Sequence, residues 1–287
     1  MTCMRKVIDE IYGKETKEGV GAAVRRSIGG GKYSEFDPFL LLDDFTVSPP
    51  AGFPDHPHRG FETVTYMLSG RFRHQDFLGN SGVIGTGDIQ WMTAGRGVVH
   101  CEMPDGENGG RGLQLWVNLS RNQKLCDSEY QDISHKDLPI AEKDGVQVRI
   151  IAGESMNVKS KIITKTPTVY LDFTLKPGSK FEQATFKGWS TFAYILDGII
   201  SFGGDGEEKD VSRHNTAIFS DGDSVRFINK GSETARFVFI SGKPIGEPVC
   251  RRGPFVMTTQ EEIEQALSDF KNGVNGFENA REWKSKV

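Results

Sequence analysis

Thirty-four glycines cut this 287-residue chain into short apolar runs, and that punctuation restricts what it can fold into. VIGTGDIQWM (83–92), GRGVVHCEM (95–103) and GLQLWVNL (112–119) each set a few apolar residues between Gly, Asp or Asn turn positions. FETVTYML (61–68) carries the β-branched and aromatic residues that suit a pleated surface, and Ser69-Gly70 then supplies a turn. Short β-rich segments spaced this way describe an all-β chain, a sandwich or a barrel.

The pattern repeats. FETVTYMLSGRF (61–72) aligns with WSTFAYILDGII (189–200), and GTGDIQWM (85–92) with SDGDSVRF (220–227). Two copies in one order predict a duplicated β domain, and the length suits two domains. The polar stretch SHKDLPIAEKDGVQ (134–147) reads as a linker. The expected organisation is a first domain over 1–134, a linker over 135–147, a second domain over 148–254 and a strand-and-helix tail over 255–287. Within that tail, Thr259 and Glu262 form a capping-box pattern. Ile263, Ala266, Leu267 and Phe270 then follow at helical spacing up to Asn272-Gly273.

Charge narrows the function. A net charge of -4 gives no electrostatic footprint for nucleic acid or an anionic membrane, so any role near DNA runs through a protein partner. No run approaches the 18 apolar residues of a membrane span, and MTCMRKVIDEIYGK has no signal-peptide core. A soluble, intracellular protein is expected. Its cysteines (Cys3, Cys101, Cys126 and Cys250) form no CxxC pair and read as reduced thiols. Arg25-Arg26 and Arg251-Arg252 are only pairs, and read as solvated surface.

Two segments carry chemistry. In DHPHRGFET, His56 and His58 stand two apart; in GVVHCEMP, so do His100 and Glu102. Residues i and i+2 of an extended strand share a face, so each pair can converge on one ion while Cys101 faces away. Three imidazoles and a carboxylate suit iron(II), manganese or nickel, and also zinc or copper. Such a set leaves octahedral positions open, unlike a closed, cysteine-rich structural zinc site. Glu62, four residues after His58, is a rival carboxylate on the same face if the strand is regular, and spacing alone does not choose between Glu62 and Glu102. The second half lacks the constellation. Ala184 and Phe186 stand where His56 and His58 stand, and His214 has no HxH partner.

Eight blocks of the chain resemble the pirin family. They are EGVGAAVRRSIG (18–29), DPFLLLDDF (37–45), FPDHPHRGFETV (53–64), GDIQWMTAGRGVVHCEMP (87–104), GLQLWVNL (112–119), TPTVYLDF (166–173), GPFVM (253–257) and NGFENAREWKSK (275–286). The resemblance implies a bicupin of the cupin superfamily: two face-to-face β-barrels with a C-terminal helix, and one Fe(II) per chain in the first barrel. It implies His56, His58, His100 and Glu102 as ligands and makes Glu62 a supporting group. Here HCE stands for the HAE of some relatives. It further implies quercetin 2,3-dioxygenase activity on a flavonol and dioxygen, with Glu102 as ligand and proton acceptor. Phe53, Arg59, Met92 and Gln114 are expected near the pocket from their closeness to the motifs. Vertebrate pirins are iron-dependent nuclear coregulators linked to NF-κB, and plant pirins are tied to heterotrimeric G-protein signalling. The resemblance therefore also implies transcription-factor partners, a redox-sensing role, a nuclear and cytoplasmic location and a monomer.

Overall fold

A computed structural model describes residues 3–18 and 21–286. Its first strands are β1 (Val7–Tyr12), β2 (Glu15–Lys17), β3 (Ala22–Ile28), β4 (Phe39–Val47), β5 (Phe53–His58), β6 (Phe61–Asp76), β7 (Ser81–Gly85), β8 (Ile89–Thr93), β9 (Val98–Pro104), β10 (Gly110–Asn118) and β11 (Glu129–Ile133). The next are β12 (Ile140–Lys143), β13 (Val146–Ala152), β14 (Glu154–Ser155), β15 (Val158–Lys159), β16 (Thr168–Leu175), β17 (Lys180–Ala184), β18 (Ser190–Asp197) and β19 (Ile199–Phe202). The chain closes with β20 (Lys209–Ser212), β21 (Asn215–Phe219), β22 (Ser224–Ile228), β23 (Ala235–Gly242), β24 (Cys250–Arg252), β25 (Phe255–Met257) and α1 (Gln260–Asn272). No helix among the described residues is long and apolar enough to cross a membrane.

Contacts divide the chain into two units, one holding 15–35, 39–136 and 245–287, the other 1–14, 36–38 and 137–244. In the first, strands run in the order β11-β8-β6-β10-β4-β3-β2, with β7 and β9 on the far half of β6 and β5 on β9. In the second, β1-β21-β18-β23-β16-β13-β12 make one sheet and β17-β22-β19-β20 another. Strand for strand, β8-β6-β10-β4-β3 corresponds to β21-β18-β23-β16-β13, and β5-β9 to β17-β22. The duplication extends to detail. The register of β6 against β10 slips around Leu68, and that of β18 against β23 around Leu196, the residue aligned with it. Arg111 grips Asp44 through two bonds of 2.9 and 2.7 Å, and Arg236 grips Asp172 through bonds of 3.0 and 2.8 Å at the corresponding positions. This is a cupin-type pair of all-β barrels, as the resemblance implies.

Three details of the sequence reading change. The 61–72 and 189–200 match is in register, but 85–92 and 220–227 are not counterparts: the first contains β8 and the second opens β22, which takes the place of β9. Short Gly-Asp turns recur too often to fix alignment. The 135–147 linker contains β12, joined to β13 by the tight turn Asp144-Gly145 (φ 50° and 79°). Asp-Gly is the usual type I′ hairpin signal, which polarity masked. The domain boundaries also exchange strands. Strand β1 pairs with β21 and belongs to the second unit, while residues 245–287 belong to the first. Composition along a chain cannot reveal such an exchange.

The second barrel has an apolar core. Val148, Ile150, Leu171, Phe173, Phe227, Phe237 and Phe239 share one buried cluster. The predicted helix is α1. Thr259 caps it in a capping box with Glu262, and Gly273 ends it at φ 67°. Ile263 and Ala266 are buried, and Leu267 and Phe270 pack against the same cluster as Phe255 and Phe277.

Candidate metal centre

Strands β5 and β9 run antiparallel with His56 directly opposite His100. Alternation puts His58 beside His56, and the three imidazoles meet. Their ring centroids lie 4.6 Å (56–58), 4.5 Å (56–100) and 5.0 Å (58–100) apart. One nitrogen from each falls within 4.8 Å of the other two. Nε2 of His100 stands 3.0 Å from Nε2 of His56. Two donors bound side by side on one first-row ion, at about 2.1 Å each, sit about 3 Å apart.

The rings are held for this purpose. His56 Nδ1 lies 2.8 Å from the Pro54 carbonyl, which can only accept, so Nδ1 carries the proton and Nε2 presents its lone pair. His58 packs edge-on against Phe61 and Trp116. After His58 the chain turns at Gly60 (φ 89°), where a Cβ would collide with the Val256 carbonyl. Buried Lys124 donates to Gly60 O (2.9 Å), Val256 O (3.1 Å) and Asn118 Oδ1 (2.6 Å). Arg59 is buried and pairs with Asp269 of α1 at 2.8 Å.

Burial, reinforced by His56, holds His58 and His100 well below the ordinary histidine value, so both rings stay neutral, the ligating form. Both ring nitrogens of His58 and Nδ1 of His100 are buried with no partner among the described residues. Orphaned buried nitrogens are costly, and a cation bound beside His56 and His100 would satisfy one of the two on His58. The donor set therefore fits a first-row divalent ion.

Glu102 lies two residues from His100 and lines the same cavity as His56 and His58. Burial raises its pKa, against the pull of His56 and the hydrogen bond from Thr65, whose hydroxyl is 3.2 Å from Oε1. The tight cluster of ligating atoms consists of the three histidines; the Glu102 carboxylate stands beside it, drawn to Thr65. Cys101 is buried and outside this cluster. Glu62 is elsewhere. The turn at Arg59-Gly60 breaks the strand after His58, so the i+4 parity is lost. Thr65 pairs with Gln114 and Thr63 with Trp116 on the cavity side; Glu62 alternates to the other face, where it accepts from Thr93 (2.8 Å).

The cavity holds about 440 Å³. Phe53 and Gln114 line it as expected. Arg59 does not, because its guanidinium turns to Asp269, and Met92 is buried among core residues. Sequence reading missed Arg26, Asp43, Trp116 and Arg251, all on the wall. Arg26 and Arg251 had read as solvated surface; in fact Arg26 binds Asp43 bidentately and Arg251 lies 4.7 Å over the Trp116 ring. The signal was present in LLLDDF, an acid at an inward position of an apolar strand.

In the second barrel, Gln183 faces Val225 across β17 and β22 as His56 faces His100, one residue from the aligned Ala184, and Phe227 stands for Glu102. His214 sits in a turn at φ 67° with Tyr194 OH 3.3 Å from Nδ1. Among the described residues there, no group of metal-ligating side chains comes together.

Two duplicated β-barrels with a histidine cluster in one of them define a bicupin with a candidate metal site. The family model described as Pirin matches residues 21–117, and that described as Pirin C-terminal cupin domain matches 170–276. A pirin-like protein of Solanum lycopersicum is 54% identical, over 98% of this chain and 97% of its own length. Pirin of Homo sapiens is 50% identical over 100% of this chain and 99% of its own. A crystal structure of quercetin 2,3-dioxygenase from Acinetobacter baumannii superposes with a TM-score of 0.84 at 34% identity, covering 94% of this chain and 98% of that one. The chain belongs to the pirin family.

Proposed function

We propose that this pirin-family protein holds one iron(II) through His56, His58, His100 and Glu102 and opens the ring of a flavonol with dioxygen, as a quercetin 2,3-dioxygenase. The observation that carries the reading is the convergence of three imidazoles on one point of an aromatic-walled cavity. The Acinetobacter baumannii enzyme named for that reaction supports it. Bound iron(II) supplies a Lewis acid for the substrate oxygen and an electron source for dioxygen.

The chain's own residues do the rest. Phe45, Phe53 and Phe72 form one apolar wall, with ring centroids 5.5 to 6.4 Å apart, which suits a flat ring and excludes water. The Glu102 carboxylate lines the cavity beside His56 and His58, where it can take the proton of the substrate's 3-hydroxyl. Thr65 keeps that carboxylate turned toward the cavity. Oxygen uptake by the stoichiometric iron-loaded protein with quercetin tests the reading. Uptake matched to flavonol loss supports it, and none beside an active control enzyme overturns it. A coregulator role rests on the family resemblance; partner affinity equal for ferrous and ferric protein would remove it.

A further inference from the structure

The two barrels are each other's control. Across the first, six directly paired positions form a row: Asp132, Gln90, Thr65, Gln114, Asp43 and Arg26. The same row in the second reads Glu10, Ala217, Ala193, Phe239, Leu171 and Ile150. Beyond the edge position, the second row is wholly apolar and buried in the core. This fold therefore packs well with Leu and Ile where the first barrel has Asp43 and Arg26. An ion pair whose arginine is 36% exposed adds little to stability, so stability does not explain the polar row.

The row's outer end faces the cavity. Arg26, Asp43 and Gln114 all line it. Arg26 spends two N–H groups on Asp43, at 2.9 and 2.7 Å, and each Asp43 oxygen keeps an acceptor site. Thr65 lies between Glu102 (3.2 Å) and Gln114 (2.9 Å), so the row starts at the candidate metal ligand. From Thr65 to Asp43 it crosses two strand spacings, about 10 Å, comparable to the reach from a flavonol's 3-oxygen across its pendant ring. The Phe45, Phe53 and Phe72 rings line the same cavity.

We propose that Gln114, Asp43 and Arg26 are a recognition track that selects flavonols bearing hydroxyl groups on the far side of the pendant ring, the ring attached next to the metal-bound oxygen. The proposal rests on the flavonol reading above and adds to it the end of the substrate that the protein reads. Asp43 accepts from the pendant-ring hydroxyls, Arg26 holds Asp43 and donates to their oxygens, and Gln114 supports the middle of the molecule.

The test is calorimetric binding to the iron(II)-loaded protein with dioxygen excluded. The probes are quercetin, kaempferol and galangin, with two, one and no hydroxyls on the pendant ring. The wild type is expected to bind quercetin about tenfold tighter than galangin, with kaempferol between. Arg26→Ile with Asp43→Leu, which copies the sister barrel's pair, brings the ratio to about one. Asp43→Asn, which keeps the shape, leaves about threefold. A ratio unchanged in the double variant, or galangin binding as tightly as quercetin in the wild type, overturns the proposal. Absent oxygen uptake with all three flavonols overturns the dioxygenase reading while leaving the binding ratio intact, so the two failures are distinct.

Discussion

Nε2 of His56 and Nε2 of His100 face each other at 3.0 Å across the β5–β9 pair. In the metal-free chain one of them must carry a proton for the contact to be attractive; a cation bound by both would replace that proton. Loss of either ring should therefore remove the site. His100→Ala and His58→Ala are expected to lower metal affinity by more than about 100-fold, measured as metal retained after dialysis against a chelator. Glu102→Ala should weaken binding, and Glu62→Gln, on the other face, should leave it unchanged.

The neutral histidines have a stability consequence. His58 and His100 are held well below the ordinary histidine pKa of 6.5 by burial and by His56. As pH falls through that value the unfolded chain takes up protons that the folded, metal-free chain refuses. Their contribution is therefore present above about pH 6.5 and lost below it. Glu102, raised by burial, has the opposite sign at lower pH, since its folded form binds a proton more readily. Between pH 6.5 and 5.5 the metal-free wild type should lose about 2 kcal/mol more than a His58→Phe, His100→Leu variant, by urea unfolding. Equal slopes for the two would show that the rings titrate normally.

Lys124 ties the turn after His58 to β25. Burial pulls its pKa down to about 8, so it still donates as an ammonium at neutral pH. Lys124→Met leaves the Gly60, Val256 and Asn118 oxygens without their donor and should cost about 3 kcal/mol of stability. A cost below about 1 kcal/mol in chemical unfolding would mean that water replaces the ammonium freely.

Arg59 and Asp269 form a buried pair in which both side chains are almost fully covered. Arg59 also donates to Arg96 O and Asn275 O at 2.6 Å, and its cation lies 4.7 Å from the Phe277 ring. Asp269→Ala strands that charge and should cost about 3–5 kcal/mol. Hydrogen exchange should quicken first in α1 and in residues 275–286. Uniform quickening across the first unit would contradict this.

Much of this was legible from residues alone. Period-two spacing in HPH was enough to predict that His56 and His58 share a face, where His100 joins them, because a strand's alternation is local. Thr259, Glu262 and Gly273 marked α1 because caps are local too. The choice between Glu62 and Glu102 was not local: it depends on a turn at Gly60 that Val256, far along the chain, enforces. Arg26 and Asp43 escaped notice because their meaning lies in cross-strand register, Arg26 against Asp43 and Asp43 against Gln114. The exchange that gives β1 to the second unit was invisible for the same reason.

The central claim is that one ion sits among His56, His58, His100 and Glu102, in the first barrel only. Anomalous diffraction at the iron edge, from crystals of protein purified without added metal, tests it most directly. The account predicts one strong peak between the three ring nitrogens and the Glu102 carboxylate, and none beside Gln183 and Val225. A peak elsewhere, or a fully occupied metal that none of these four side chains touches, would contradict it.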